Sequence, residues 1–176
     1  AQEVFDLGGG SLEICDVSGR ISLPLGAVRM HNLFGENLEE LRRYLRENFK
    51  ALSLRPRKMI GVGGTSSTLA MMSRSLSVNA YSPDKIHGFT VNRGMLRNCI
   101  EKLRILSPEE RRNIPGLPEK RADIIVSGLV VIEELLLFLG LTSYVHSECD
   151  LLWGILRKKA EEEGAFLGKA VFPASP

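Results

Sequence analysis

The sequence has no large excess of charge of either sign. Its 176 residues include 23 lysines and arginines against 21 aspartates and glutamates, which gives a formal net charge of +2. A field this weak offers no general attraction to nucleic acid or to an anionic membrane surface, so neither is expected as a partner. Any site for an anion must therefore be local.

Cysteines and long apolar runs are also scarce. Cys15, Cys99 and Cys149 form no C-x-x-C pair and cannot all pair within one chain, which suits a reducing compartment and small buried side chains. The longest apolar stretch, around 129–139, is broken by Glu133 and Glu134, unlike a membrane span. No basic segment followed by an apolar one opens the chain, and a cytoplasmic protein is expected.

The chain begins almost inside its first predicted strand. Only Ala1, Gln2 and Glu3 precede Val4, whereas a natural terminus usually leads in more gradually. We therefore expect the chain to be a fragment of a longer protein.

The hydrophobic content of 44% is enough for a real core, and the periodicity predicts which segments form it. Strands are predicted over 4–7, 12–17, 21–25, 58–62 and 142–145, and helices from Ala27, over 38–49, from Thr65, over 93–103, from Pro108, over 120–139 and over 151–163. This order predicts an α/β fold, with a mixed sheet that starts as a three-stranded meander and helices packed on it. The expected domain covers 1–163, and 164–176 is expected to be a loose tail.

Three details of the helices are also predicted. Asn37 is expected to cap the helix over 38–49, and Arg42, Arg43 and Arg46 are expected on its solvated face. The long helix over 120–139 is expected to be amphipathic.

The turn DLGGGSLE, at 6–13, raises the first functional question. Three successive glycines cost backbone entropy, so the turn should have a use that side chains would obstruct. The N–H groups of Gly8, Gly9, Gly10 and Ser11 can converge on a phosphate oxygen. Asp6 and Glu13 flank the turn and could hold Mg²⁺, although a plain hairpin with surface acids is the alternative.

A second glycine turn lies in IGVGGTSSTLA, at 60–70. Gly63 and Gly64 follow a predicted strand and precede Thr65, whose hydroxyl is expected to cap a helix. The free N–H groups and the dipole at a helix N-terminus attract anions. Alone this signal is weak, because glycines also mark ordinary strand-to-helix turns.

Together these segments resemble the exopolyphosphatase and guanosine pentaphosphate phosphohydrolase family, within the actin-like ATPase (ribonuclease H-like) superfamily. The matching segments are FDLGGGSLEI, SLPLGAVRM, GVGGTSSTLA, the His87–Gly88 pair and PGLPEKRADIIVSG. Their order and spacing cover nearly the whole chain. The resemblance implies one actin-like lobe, the second of the two that family members contain.

The resemblance also implies a set of site residues. The phosphate and metal site would comprise Asp6, Gly8, Gly9, Gly10, Ser11 and Glu13, with Asp6 and Glu13 on Mg²⁺ or another divalent cation, and the opposing phosphate loop would comprise Gly63, Gly64 and Thr65. Arg121 would help hold the phosphorylated substrate, with Asp123 following it at the start of the long helix. Without the resemblance, Arg121 reads as a surface cation, and His87 reads as structural in either case.

Some positions depart from the family pattern. Leu12 stands where the family often has threonine, which we expect to affect packing. In SECDLLWG, Leu152 and Trp153 replace a charged pair, which leaves the role of that pair open in this chain.

The implied activity is removal of a terminal phosphate from inorganic polyphosphate or guanosine pentaphosphate, between which the sequence does not discriminate. Glu13 would position water or metal, while the main catalytic base is a glutamate of the upstream lobe, which is absent from this sequence. The chain alone is therefore expected to be inactive. A homodimer is left open.

Two alternatives remain at this stage. One is a non-catalytic regulatory module that binds polyphosphate or guanosine tetraphosphate. The other is the second lobe of an actin-like ATP-dependent kinase or chaperone ATPase.

Overall fold

The computed structural model describes residues 2–16, 19–54 and 56–149, together with residues 159 and 162. The helix predicted over 151–163 lies outside the described residues apart from those two positions, and so does the tail predicted over 164–176. Within the described part of the chain, no helix is long and apolar enough to cross a membrane.

The described strands form one six-stranded mixed sheet in the order β3-β2-β1-β4-β6-β5. The strands are β1 (Gln2–Leu7), β2 (Leu12–Asp16), β3 (Gly19–Leu23), β4 (Lys58–Val62), β5 (Thr90–Asn92) and β6 (Ser143–His146). β1, β4 and β6 run parallel, while the β1–β2–β3 meander and the edge strand β5 are antiparallel. The predicted fold class and its antiparallel start are confirmed.

Seven helices are described. They are α1 (Ala27–Phe34), α2 (Leu38–Phe49), α3 (Gly64–Ser73), α4 (Pro83–Ile86), α5 (Arg93–Arg104), α6 (Pro108–Arg111) and α7 (Ile125–Phe138). The predicted cap at Asn37 is confirmed, because its side chain accepts a hydrogen bond from the backbone N–H of Glu40. Two short 3₁₀ turns, Val78–Ala80 and Glu119–Arg121, complete the set.

The predicted amphipathic helix over 120–139 is wrong in two respects. A 3₁₀ turn occupies Glu119–Arg121 and the helix starts only at Ile125, so Arg121 and Asp123 precede it. Every residue from Ile125 to Leu136 is buried, because α1, α2, α3 and α5 all pack against α7. A helix surrounded in this way cannot keep a polar face in water.

The meander separates an apolar face from a polar one. Phe5 pairs with Ile14 and Leu7 with Leu12 across β1 and β2, and all four side chains are buried. Because successive side chains of a strand point to opposite faces, Asp6 and its cross-strand partner Glu13 lie on the other face. The hydrophobic core therefore covers one face of the meander, and the carboxylates of Asp6 and Glu13 lie on the opposite face.

Two buried carboxylates on α7 are neutralised by arginines from α2 and α5. Arg42 Nη1 lies 2.6 Å from Glu133 Oε2 and 2.7 Å from Glu134 Oε1, and Arg46 Nε lies 2.7 Å from Glu134 Oε2. Arg97 also approaches Glu133, at 3.4 Å. The prediction of a solvated face is therefore wrong for Arg42, which is largely buried, whereas Arg46 is exposed as predicted and still pairs with Glu134.

The pKa of Glu134 follows from this arrangement. Burial alone would raise it, but the hydrogen bonds from Arg46 and Arg42 outweigh burial and hold it below the usual range of a glutamate. The carboxylate is thus ionised in the folded chain at neutral pH, where it ties α2 to α7.

We predict that Glu134→Gln lowers the free energy of unfolding by about 1.5–3 kcal/mol at pH 7, because it removes charge-assisted hydrogen bonds to a buried group. The lowered pKa means that the contribution of Glu134 is present above about pH 4.3 and is lost as the pH falls through the folded-state pKa. Urea unfolding at pH 7 and pH 3.5 measures both effects, and the difference between variant and parent should shrink at the lower pH.

Glu47→Gln is the matched control, since the ion pair of Glu47 with Lys50 is exposed. Its effect should stay within about 0.5 kcal/mol. Two outcomes would contradict the stabilising role of ionised Glu134. One is an equal loss of unfolding free energy in both variants, and the other is a loss in Glu134→Gln that is as large at pH 3.5 as at pH 7.

Candidate functional site

The turn between β1 and β2 is fixed by hydrogen bonds to the start of α1. The Gly8 N–H donates to the Ser11 carbonyl at 3.1 Å, and the Gly8 and Gly9 carbonyls accept from Ala27 N–H at 2.9 Å and Arg29 N–H at 3.0 Å. The N–H of Gly8 is therefore engaged within the turn. Those of Gly9, Gly10 and Ser11 donate to no backbone carbonyl in the described segments, so the donors for an anion are three rather than the predicted four.

Glycine at position 26 lets α1 approach this turn. A Cβ at Gly26 would clash with backbone atoms of Gly9 and Gly10, so the two chain segments touch without an intervening side chain. Arg29, in the first turn of α1, donates from Nε to the Gly10 carbonyl at 3.0 Å. Sequence reasoning did not single out this cation, although it lies in the quoted segment SLPLGAVRM.

The second glycine turn meets the first because β1 and β4 are parallel neighbours, with Asp6 in register with Val62. Gly63 has φ +92°, and a Cβ there would lie 2.6 Å from Asp6 Oδ1 and 2.8 Å from the Leu7 carbonyl oxygen. Both the backbone conformation and the close approach require glycine. The carboxyl ends of the two strands thus bring both turns to one edge of the sheet.

The predicted side-chain cap at Thr65 is wrong. The N-cap of α3 is Gly63 and has no side-chain cap hydrogen bond. Thr65 is buried, and its hydroxyl occupies the space next to Gly128 that a Cβ there would need. Since the threonine side chain packs against α7, only its backbone could serve an anion.

Arg121 lies against the second turn. A Cβ at Gly64 would clash with the Arg121 guanidinium, which places that cation directly over the first residue of α3. The side chain is half-buried, and burial lowers the pKa of Arg121 below its usual value, although arginine stays charged in proteins. Within the described residues no carboxylate lies at ion-pair distance from it.

A cavity of about 250 Å³ separates the two turns. Its lining includes Gly8, Gly9, Val28, Gly64, Lys120 and Arg121. Backbone from both turns and two cations thus surround one small space, which suits an anion of a few phosphoryl groups rather than a drug-sized ligand. Lys120 is a second lining cation that sequence reasoning missed, and only its place beside Arg121 could have indicated it.

The acids flanking the first turn lie side by side. Asp6 and Glu13 are directly opposed in the antiparallel register, which puts their Cβ atoms about 4.5–5.5 Å apart. Ser22 Oγ donates to Glu13 Oε1 at 2.8 Å. Among the described residues no group of three or more metal-ligating side chains occurs, so two carboxylates are what this edge offers to a cation.

The other notable residues have structural surroundings. His87 Nδ1 accepts the Glu148 backbone N–H at 3.2 Å, in line with the structural role expected for it. Cys15, Cys99 and Cys149 are half-buried and form no disulfide within the described residues, and burial raises the pKa of the Cys99 thiol to about 11. A thiol of that kind is protonated and unreactive at neutral pH.

We predict that Gly26→Ala and Gly64→Ala differ in kind. In Gly26→Ala the new methyl group meets backbone, so the chain must shift, and the free energy of unfolding should fall by about 1–3 kcal/mol. In Gly64→Ala its three nearest atoms all belong to the end of the flexible Arg121 side chain, which can move aside, while alanine favours the helix. Thermal unfolding should therefore be unchanged or raised in Gly64→Ala.

Gly10→Ala controls for the substitution itself, because a Cβ at Gly10 meets nothing within 4 Å. It should unfold as the parent does. Equal stability of Gly26→Ala and Gly10→Ala is the result that speaks against the contact between α1 and the first turn.

Comparisons with known proteins agree with this geometry. The family model described as "Ppx/GppA phosphatase family" matches residues 2–163. An exopolyphosphatase 2 of Mycobacterium tuberculosis is 33% identical over 86% of this chain and 53% of its own length. A bifunctional 3-dehydroquinate synthase/phosphatase of Fusobacterium nucleatum is 28% identical over 91% of this chain and 26% of its own length.

Solved structures extend the likeness to the fold. The crystal structure of the Aquifex aeolicus Ppx/GppA family member superposes with a TM-score of 0.84 at 25% identity, over 92% of this chain and 56% of that one. The fold is therefore that of the actin-like ATPase-type Ppx/GppA proteins. The chain spans about half the length, or less, of the relatives named here. With the family model covering all described residues and the two glycine turns and Arg121 at one edge of the sheet, the chain belongs to the Ppx/GppA phosphatase family.

Proposed function

We propose that the cavity between the two glycine turns binds the terminal phosphoryl groups of inorganic polyphosphate or guanosine pentaphosphate, as half of a phosphoanhydride hydrolase. The observation that carries this proposal is Arg121, a half-buried cation over Gly64 without a carboxylate partner in the described residues. Taking a cation partly out of water is unfavourable unless an anion compensates it. Substrate phosphate is the anion that fits the family.

The chemistry is attack of water on a terminal phosphoryl group. Such transfer depends on in-line positioning and on neutralising the charge of the phosphoryl oxygens. The N–H groups of Gly9, Gly10 and Ser11, those at the start of α3, and Arg121 and Lys120 would supply that neutralisation. No proton transfer has to occur on these groups.

The expected divalent cation fits the first turn. Mg²⁺ commonly binds through one or two carboxylates, several waters and substrate phosphates, and the adjacent carboxylates of Asp6 and Glu13 match this requirement. Bound there, the cation would neutralise charge on the phosphate oxygens. Glu13, held by Ser22, would orient the metal or a water molecule beside the turn.

The main catalytic base is assigned to an upstream actin-like lobe, which would close the cavity from the opposite side. Length supports this assignment, since the relatives are about twice as long as this chain or longer. The polar face of the meander, with Asp6 and Glu13, would then face the cleft between the two lobes. General base catalysis typically contributes about 10²–10⁴-fold to a rate.

We predict that Arg121→Ala weakens binding of inorganic tripolyphosphate to the chain, and that Arg121→Lys restores only part of it. A lysine supplies a point charge but not the planar fork of donors that arginine presents to phosphate oxygens. Isothermal titration calorimetry at fixed, low salt measures the three affinities.

Arg43→Ala is the control, because it removes the same charge from an exposed position that pairs only weakly with Glu40. Its affinity should match the parent. If Arg121→Ala and Arg43→Ala both bind tripolyphosphate about as tightly as the parent chain, Arg121 is a surface cation and not part of the site. Stabilisation by ATP but not by tripolyphosphate in the same buffer favours the kinase-like alternative.

We further predict that the chain alone with Mg²⁺ releases phosphate from long-chain polyphosphate at a rate near background, and that fusion to the first lobe of a full-length relative raises the rate. The reason is that one phosphate-binding face and the proposed base are missing. Phosphate release under both conditions is measured with and without Glu13→Gln. Equal turnover by chain and fusion, abolished by Glu13→Gln, would transfer the role of base to Glu13.

A further inference from the structure

A connected group of polar side chains joins the end of β6 to the first turn of α3. We name it the Glu148 network, and its members are Ser66, Ser67, Tyr81, Tyr144, His146 and Glu148. Ser66 and His146 are fully buried, and the Glu148 side chain is 12% exposed. Buried polar groups of this kind fix a geometry when all of them are hydrogen-bonded.

Glu148 is the centre of the network. Its Oε1 accepts from Ser67 Oγ at 2.9 Å and lies 2.7 Å from His146 Nε2, and its Oε2 accepts from Tyr81 Oη at 2.6 Å. Burial alone would raise the pKa of Glu148, but these three hydrogen bonds hold it below its usual range. The group is therefore an ionised carboxylate at neutral pH.

The ionised state of Glu148 fixes the direction of its bond with His146. Because a carboxylate only accepts, His146 Nε2 carries the proton it donates. The other ring nitrogen, Nδ1, lies 2.8 Å from Ser66 Oγ, and Ser66 in turn lies 3.0 Å from the buried hydroxyl of Tyr144. Glu148 thus connects to α3 twice, directly through Ser67 and indirectly through His146 and Ser66.

Ser67 also links Glu148 to the second glycine turn. Its hydroxyl has one proton and two acceptors in reach, Glu148 Oε1 at 2.9 Å and the Gly63 carbonyl at 3.3 Å. The shorter bond to an ionised acceptor is the stronger one. Without Glu148 the proton would turn back to the Gly63 carbonyl, which belongs to the same peptide group as the Gly64 N–H.

We propose that Glu148 is a positioning residue for the phosphate turn at Gly63–Gly64, which it holds through Ser67 and through His146 and Ser66. The proposal rests on the proposed function, because positioning matters to binding only if this turn receives phosphate. Glu148 is not among the residues that line the cavity, so it acts through α3. The sequence analysis assigns no role to Glu148 or His146, although Glu148 lies in the quoted segment SECDLLWG.

Two variants and their combination test this role. Glu148→Gln keeps the shape of the side chain but loses the charge and one acceptor, and Ser67→Ala removes only the direct link. In ¹H–¹⁵N spectra of the ligand-free chain, both should shift the Gly64 amide resonance. Each should weaken tripolyphosphate binding roughly fivefold, which equals about 1 kcal/mol, the value of one hydrogen bond.

The double variant separates positioning from general destabilisation. If Glu148 acts through Ser67, the double variant loses little more affinity than either single one, because both changes break the same link. Glu101→Gln is the control, since Glu101 pairs only with Arg104 on the exposed side of α5. It should change neither the Gly64 resonance nor the affinity.

Failure of this proposal is distinct from failure of the proposed function. If the parent chain binds no tripolyphosphate, the proposed function fails, whereas the ligand-free Gly64 resonance still reports on Glu148. If Glu148→Gln leaves that resonance in place, or if the two single losses of affinity add in the double variant, the positioning role is overturned. If Glu148→Gln does not fold, Ser67→Ala provides the test. An unchanged Gly64 resonance or an unchanged tripolyphosphate affinity in Ser67→Ala then overturns the positioning role.

Discussion

Close approach of bare backbone is the constraint on which the candidate site depends. Gly26 lets α1 rest on the first glycine turn, Gly63 lets the second turn reach Asp6, and Gly64 leaves room for the Arg121 guanidinium. A Cβ atom at any of these three glycines would clash with the group that each one now contacts. The site is therefore built by removing side chains, and its chemistry then comes from backbone N–H groups and from cations placed beside them.

Buried acidic groups are paired with arginines in this chain, whereas a half-buried arginine near the glycine turns is not paired with an acid among the described residues. The buried carboxylates Glu133 and Glu134 are each met by arginines at short distance, as a stable core requires. Arg121 is half-buried near the glycine turns and has no such counterion among the described residues. The same chain thus neutralises acids in its interior and leaves a cation open at one edge of its sheet, which is the asymmetry expected of an anion-binding site rather than of a structural ion pair.

Local signals predicted much of this structure, and the exceptions share one cause. The meander, both glycine turns and the cap at Asn37 follow from residues within a few positions of one another. Arg42 and Arg46 pair with Glu134 across 92 and 88 positions, and α7 is buried by helices distant in sequence. No periodicity reveals such partners. The sequence pattern alone did not predict a site role for Arg121 or Lys120, because a cation before a helix is ordinarily solvated. Only the family resemblance indicated Arg121.

Strand direction explains why the functional features meet. β1, β4 and β6 are parallel neighbours, so their carboxyl ends lie at one edge of the sheet, which is where α/β folds place their ligands. β1 leads into the first glycine turn and β4 into the second, while β6 is followed by Ser147 and Glu148. The Ser147 N–H donates to the Gly61 carbonyl, which ties the end of β6 to the strand that precedes the second glycine turn. The network behind α3 is thus the third member of a series set by the sheet: two strand ends form the cavity, and the third holds one of its walls in place.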